Sequence, residues 1–147
     1  MKKLALFASV LMLGALTAGA GTLGVAAFND GAGTTDINLT PASLQATFLS
    51  LRNNTGSASE YTVLYYSLQG VDRTPGANTF TVAGNAARSW RPVATDANEG
   101  AGSSIPNATG TAGAGTASIL YTDATAPSGI ARIFVGNQSS YSWSLIP

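Results

Sequence analysis

The fold class of this chain is clearest in the stretch Leu44-Gln45-Ala46-Thr47-Phe48-Leu49-Ser50-Leu51-Arg52-Asn53-Asn54-Thr55-Gly56. It begins with apolar, aromatic and β-branched residues, which favour strands. It then reaches Asn, Thr and Gly, which favour tight turns. The order predicts a β-strand over Leu44–Leu51 that ends in a turn at Asn53–Gly56.

Short apolar runs separated by turn residues continue to the C-terminus, and helix signals are nearly absent. Pro92 cannot donate a ladder hydrogen bond, so the strand around Trp90 should lie at a sheet edge or stop there. We expect an all-β, immunoglobulin-like antiparallel β-sandwich of about seven to eight strands over residues 36–147. The predicted strands are Asp36–Leu39, Leu44–Leu51, Tyr61–Leu68, Thr79–Val82, Ala87–Val93, Thr116–Thr122, Ile130–Val135 and Tyr141–Pro147.

The N-terminus has the three parts of a secretory leader. A positive start at Met1–Lys3 precedes the uncharged apolar run Leu4–Leu16, and small residues follow at Ala18 and Ala20. We therefore predict a signal peptide over residues 1–20, which directs the rest of the chain out of the cytoplasm and meets the membrane only during export.

Two alternatives to this leader stay open. Val25–Ala27 also offers small residues at the spacing of a cleavage site, which would place the cut as late as residue 27. The uncharged run Leu4–Ala27 is also long enough for an uncleaved anchor, since a helix needs about 20 residues to span a bilayer.

Charge is scarce, at 10% of the residues. Both lysines lie in the leader. The remaining chain has five arginines and seven Asp and Glu residues, so its net charge is about −2. Without a basic patch, a nucleic acid is not an expected partner. So little charge suits a surface that is covered by neighbouring copies or by glycans.

The side chains of common active sites are missing. The sequence has no His and no Cys, and the part after the leader has no Lys. We predict a protein that is not an enzyme and has no cofactor. The closest carboxylate pair, Asp96 and Glu99, lies in a predicted long surface loop (Ala94–Gly115), where solvated side chains are the plain interpretation and a hydrolase is the weaker alternative. The oxygen-rich stretch Asn29–Asp36 lacks the ligand density of a calcium loop, so no metal site is predicted.

Asn53, Asn107 and Asn137 each begin an Asn-x-Ser/Thr sequence and are candidate glycosylation sites. Asn38 also fits the pattern, although Pro41 follows it. The chain is rich in Ser and Thr, which produces such matches by chance, and the double-lysine leader resembles bacterial ones. Attached glycans therefore stay an open alternative.

Aromatic side chains could form a flat platform for sugar rings, which would make the chain a carbohydrate-binding or adhesin module. Most of them lie in predicted strands, where burial in the core is the plainer interpretation. The candidates are Tyr65, Tyr66, Trp90, Tyr121, Tyr141 and Trp143.

The segment after the leader has the pattern of a donated strand. Residues 21–35 form an apolar arm and a flexible linker, in which Leu23, Val25, Ala27 and Phe28 are the candidate self-assembly residues. An extended apolar peptide can add to the sheet edge of a neighbouring domain. Repeated head-to-tail contact then builds an open filament. The C-terminal tail from Tyr141 is the alternative donor, and a simple linker is the plain alternative.

The stretch Leu44–Gly56, together with Asn78–Val82 and Ser89–Val93, resembles small bacterial secreted domains of immunoglobulin-like build. The order of leader, apolar arm and one β-sandwich resembles that of extracellular fibril (pilin-like) subunits. No Cys pair brackets a Trp, as it does in antibody domains. The resemblance implies a secreted or cell-surface bacterial protein, a homopolymer in which each structural subunit donates a strand to the next.

Overall fold

The computed structural model describes residues 20–30, 45–110, 113–135 and 139–147. The strands in these ranges are β1 (Gly21–Asn29), β2 (Gln45–Arg52), β3 (Ser59–Ser67), β4 (Thr79–Val82), β5 (Ala87–Trp90), β6 (Ala114–Tyr121), β7 (Ser128–Val135) and β8 (Ser139–Ser144). They form two antiparallel four-stranded sheets, in the orders β1-β6-β3-β4 and β5-β2-β7-β8. This confirms the predicted antiparallel β-sandwich of about seven to eight strands.

Seven of the predicted strands correspond to β2 through β8, with ends that differ by a few residues. β5 ends at Trp90, before Pro92, and lies at the edge of its sheet. Both expectations from the missing N–H of Pro92 are therefore met: the strand stops before the proline, and it is an edge strand. The predicted strand Asp36–Leu39 lies outside the described residues.

The arm region differs from the predicted division of the chain. The sequence placed the start of the sandwich at residue 36, whereas residues 21–29 form β1 within the first sheet. β1 runs antiparallel to β6, with Leu23 opposite Ile119 and Val25 opposite Ala117. The alternation that is typical of a donated strand is equally typical of an edge strand in the chain's own sheet. The leader up to residue 19 lies outside the described residues.

The core fills the space between the two sheets. Large buried side chains come from β2, β3, β5 and β6, and β1 adds three more. Buried apolar surface is the main stabilising contribution to a domain of this size. The core includes Leu23, Val25, Phe28, Leu49, Leu51, Tyr61, Val63, Tyr65, Phe80, Val82, Trp90, Ile105, Ala117, Ile119, Ala131 and Leu145.

The predicted long surface loop is more ordered than its Gly-rich composition indicates. It contains a short 3₁₀ helix (Ala97–Ser104), kinked at Gly100, whose φ is +54°. Gly102 packs so closely on β5 that an added Cβ would overlap the carbonyl oxygen of Ser89. Ile105 is buried in the core. No helix of the described residues is long and apolar enough to cross a membrane.

Candidate functional site

β1 lies at the edge of its sheet and supplies core side chains from an N-terminal position. Leu23, Val25 and Phe28 are 2%, 2% and 3% exposed. Ala27, the fourth predicted self-assembly residue, is exposed, because a bulge interrupts the pairing between Val25 and Phe28. Three of the four predicted residues therefore pack side by side in one groove. This groove lies between β6 and the second sheet, and β1 fills it.

The groove fits β1 through pairs of a large and a small residue. Gly21 faces the ring of Tyr121, which leaves no room for a Cβ on that glycine. Near the other end, a Cβ on Gly115 would lie 2.7 Å from Cζ of Phe28. The Phe28 ring meets Tyr65 edge to face, with the ring centroids 6.2 Å apart. These contacts favour one register of the strand.

Polar contacts hold β1 on its other sides. The Gly24 N–H donates to the carbonyl oxygen of Ile146 at 2.6 Å, and the Ile146 N–H donates back at 3.3 Å. The Asn29 N–H donates to Oγ1 of Thr47 on β2 at 2.9 Å, and that hydroxyl donates to the Asn29 carbonyl at 2.7 Å. β1 is thus tied to the C-terminus and to the second sheet as well as to β6.

A buried ion cluster lies directly beyond β1. Nε of Arg91 donates to Oδ2 of Asp30 at 2.8 Å, and the same guanidinium donates from its Nη2 to Oδ1 of Asp30. Nη1 of Arg91 donates to Oδ2 of Asp96 at 3.1 Å. All three side chains are 0% exposed. The guanidinium therefore joins the end of β1 to the segment after β5 at a site that is buried from solvent.

Further polar groups complete this cluster. The Arg91 N–H donates to Oε1 of Glu99 at 2.8 Å, and Nδ2 of Asn107 donates to the Arg91 carbonyl at 2.7 Å. Oδ1 of Asp96 accepts from the backbone N–H of Asn98 at 2.8 Å, as the N-cap of the 3₁₀ helix. Asp96 and Glu99 are buried, so the interpretation of this pair as solvated loop side chains is wrong.

Burial and the neighbouring charges shift two pKa values in the cluster. Burial opposes the charged form of Arg91, but hydrogen bonds and charge from Asp30 and Asp96 outweigh it, so the Arg91 pKa is raised. Burial raises the pKa of Glu99, and the hydrogen bond from the Arg91 N–H, which lowers the pKa, offsets only part of this rise. The two carboxylates around Arg91 thus stabilise its positive charge.

The Glu99 shift has a consequence for stability. Its folded pKa lies above the ordinary 4.5, so the folded chain binds more protons than the unfolded chain at pH values between 4.5 and the raised pKa. This carboxyl therefore lowers the free energy of unfolding as pH rises through that window. We expect Glu99→Gln to remove this fall, because an amide does not titrate, while its oxygen still accepts from the Arg91 N–H. Urea unfolding of parent and variant at several pH values checks it, and identical pH slopes would contradict it.

Tyr65 links the two sheets through hydrogen bonds. Its hydroxyl accepts from Nε1 of Trp90 at 2.8 Å and donates to the Pro106 carbonyl at 2.9 Å. Burial raises the Tyr65 pKa, although the Trp90 hydrogen bond lowers it. Trp90 and Tyr65 are both fully buried, so neither offers a ring to a ligand.

Removal of the Tyr65 hydroxyl should lower the free energy of unfolding by a measurable amount. Tyr65→Phe leaves the Trp90 N–H and the Pro106 carbonyl without that partner. We expect a loss of about 1–3 kcal/mol in the free energy of unfolding, the usual consequence of an unsatisfied buried polar group. Urea unfolding measures it, with Tyr141→Phe as control, since Tyr141 is 66% exposed. Equal stabilities of the two variants would rule out the linking role.

The predicted glycosylation sites differ in accessibility. Asn53 is fully buried, and its Nδ2 donates to the carbonyls of Ser57 at 2.8 Å and Val82 at 3.0 Å. The folded chain therefore does not present that nitrogen for modification, which corrects the expectation for Asn53. Asn107 is half-buried and donates to the Arg91 backbone. Asn137 lies outside the described residues.

A shallow groove covers the outer face of the second sheet. It encloses about 370 Å³ and is lined by Phe48, Ser50, Ile130, Arg132 and Phe134, among others. The rings of Phe48 and Phe134 meet edge to face at 5.6 Å, and Cζ of Arg132 lies 5.7 Å from the Phe134 centroid. The groove combines partly exposed apolar surface with hydroxyls and one cation.

Sequence reasoning missed Arg91 and Asp30 as partners. The position of Arg91 between Trp90 and Pro92 is only a weak signal for burial. The partner in Asp30 could not be found, because the two residues are 61 positions apart. Within the described ranges, no three His, Cys, Asp or Glu side chains are arranged to hold a metal ion.

Comparison with known proteins shows the fold alone. No family model matches the chain, and no curated protein sequence matches it. A solved structure titled "Crystal Structure of Thermotoga maritima 1070" is similar, with a TM-score of 0.52, 8% identity, and coverage of 87% of this chain and 94% of that one. The Anabaena sensory rhodopsin transducer aligns over 88% of this chain and 99% of its own, at 14% identity and a TM-score of 0.38.

Proposed function

We propose that this protein is the structural subunit of an extracellular or cell-surface filament, in which each subunit receives β1 from a neighbour. The observation that carries the proposal is the construction of β1. It is a terminal edge strand, it supplies Leu23, Val25 and Phe28 to the core, and residues 31–44 separate it from β2 in the sequence.

Exchange of β1 would replace each contact within a chain by the same contact between chains. Such swapping of an identical element is a low-cost route to association. Residues 31–44 can reach about 46–50 Å when fully extended, which is enough for β1 to enter a neighbouring domain. If the exchange does not close on itself, it produces an open chain of subunits.

Composition and the leader support this function. The chain has few charges and lacks His and Cys, so its surface is suited to contact more than to chemistry. A leader cut after Ala20 keeps β1 whole, whereas a cut after Ala27 would remove Leu23 and Val25 from the core. The proposed subunit is therefore the secreted chain from residue 21 onward, with further copies of itself as partners.

The test is microscopy of the full secreted chain. Deleting residues 21–28 is not a clean control, because it removes three core side chains and destabilises the domain. We expect negative-stain images of concentrated protein to show filaments, and light scattering to show mass that grows with concentration. Monodisperse monomer at all concentrations would contradict the proposal.

A second candidate is a carbohydrate-binding module, favoured by the outer groove of the second sheet. Partly exposed Phe134 could stack on a sugar ring, while Arg132 and Ser50 could bind its hydroxyls. Glycan-array binding that is lost in Arg132→Ala and Phe134→Ala, with the fold retained, would support it. Binding unchanged in both variants would exclude the groove.

A further inference from the structure

We infer that Asp30 is a latch, meaning a residue whose carboxylate holds β1 in its groove by pairing with Arg91. For a β1 that comes from a neighbouring subunit, this inference rests on the proposed function. For a β1 that stays in its own chain, it stands on the geometry alone.

The position of Asp30 gives it this role. It directly follows β1, and its backbone N–H donates to the Gly113 carbonyl. Two nitrogens of Arg91 donate to its two carboxylate oxygens, and both side chains are 0% exposed. A bidentate pair of this kind requires the correct distance and the correct orientation. The pair can therefore form only when β1 is inserted to its last residue.

The partner cation belongs to the body of the domain. Asp96 holds Nη1 of Arg91, while Glu99 and Asn107 hold its backbone N–H and carbonyl. None of these three groups lies on β1. When β1 leaves, Arg91 keeps these three contacts and loses its pair with Asp30.

The apolar contacts of β1 favour the same register, but the hydrophobic effect that drives them is non-directional. The bidentate pair of Asp30 and Arg91 adds a directional contact at the end of the strand. A partly inserted strand would leave the buried Arg91 without one carboxylate. Removing one partner of a buried ion pair is strongly unfavourable, and polar pairs of this kind are best attested as devices that fix register.

Thiol labelling of the full chain tests the latch. The sequence contains no Cys, so a single introduced cysteine reports its own exposure. Val25→Cys reports the opening of β1, and Val63→Cys, on the inner strand β3, reports the opening of the whole domain. We expect the cysteine at position 25 to react faster than the one at position 63, because an edge strand opens locally.

Two matched carboxylate variants then separate the latch from general stability. Asp30→Asn should speed labelling at position 25 about a hundredfold, the effect of breaking a buried pair. Asp96→Asn removes the other carboxylate of the same arginine and should speed labelling at position 63 only. If Asp30→Asn prevents folding, Asp30→Glu, which keeps the charge but not the fit, should give a smaller acceleration.

An unchanged rate at position 25 in the Asp30 variant that folds, or the same acceleration in Asp96→Asn, would overturn the latch. Equal rates at positions 25 and 63 in the parent chain would also overturn it, because β1 would then open only with the whole domain. A monomeric protein with the expected labelling pattern would retain the latch and refute the filament. A filament without that labelling pattern would support the proposed function and refute the latch.

Discussion

Arg91→Ala is expected to destabilise the domain by about 3–5 kcal/mol, the range measured when one partner of a buried ion pair is removed. The variant leaves Asp30 and Asp96 buried without their shared cation. It also creates a cavity where the guanidinium lies. A loss of this size is a large fraction of the whole stability of a typical domain. Urea unfolding followed by tryptophan fluorescence measures it.

Two controls make the Arg91 result specific. Arg91→Lys keeps the positive charge, but an ammonium cannot bind two carboxylates in the planar geometry of a guanidinium. We therefore expect its free energy of unfolding to lie between those of the parent and of Arg91→Ala. Arg52→Ala changes an exposed side chain and should stay within about 0.5 kcal/mol of the parent. If Arg91→Ala loses less than about 1 kcal/mol, the cluster does not stabilise the fold.

Trp90→Ala is expected to destabilise the domain by about 3–5 kcal/mol, as large-to-small changes of buried aromatic residues do. The indole is fully buried, stacks obliquely on Phe80 at 5.5 Å, and donates to the hydroxyl of Tyr65. The variant loses this packing and this hydrogen bond together. Urea unfolding, followed by circular dichroism because a fluorophore is removed, measures the change.

The Trp90 result also bears on the carbohydrate-binding alternative. Trp143 is half-buried at the edge of the core, so Trp143→Ala should cost about half as much or less. A Trp90→Ala chain that keeps its stability but loses glycan binding would show that this side chain serves a ligand. That outcome would contradict its place in the core.

Much of the fold could be predicted from local features of the sequence. Alternation and turn residues located β2 and β3, and the missing N–H of Pro92 located the end of β5. The apolar alternation of residues 21–28 identified an extended strand that packs by its side chains. Pattern alone could not tell whether that strand completes its own sheet, because both arrangements bury the same residues.

The buried polar groups could not be predicted, because their partners are distant in sequence. Asp30 and Arg91 lie 61 positions apart, and Trp90 and the hydroxyl of Tyr65 lie 25 apart. The Gly-rich composition of residues 94–115 indicated a surface loop. Gly102 instead allows the loop backbone to approach Ser89 closely, and this approach brings Ile105 into the core.

The exchange of β1 between chains can be measured with one pair of cysteines. Thr22 and Leu120 are opposite each other on β1 and β6, both exposed, and the chain has no other Cys. The variant Thr22→Cys with Leu120→Cys is oxidised at high protein concentration and separated on a denaturing, non-reducing gel. The corresponding single-cysteine variants are the controls, because each can form no more than a dimer.

The proposed function predicts a ladder of covalent multimers that reduction returns to monomer, since each disulfide would join β1 of one subunit to β6 of the next. A single band of internally bridged monomer, from protein that was concentrated before oxidation, would show that β1 stays in its own chain and would contradict strand exchange.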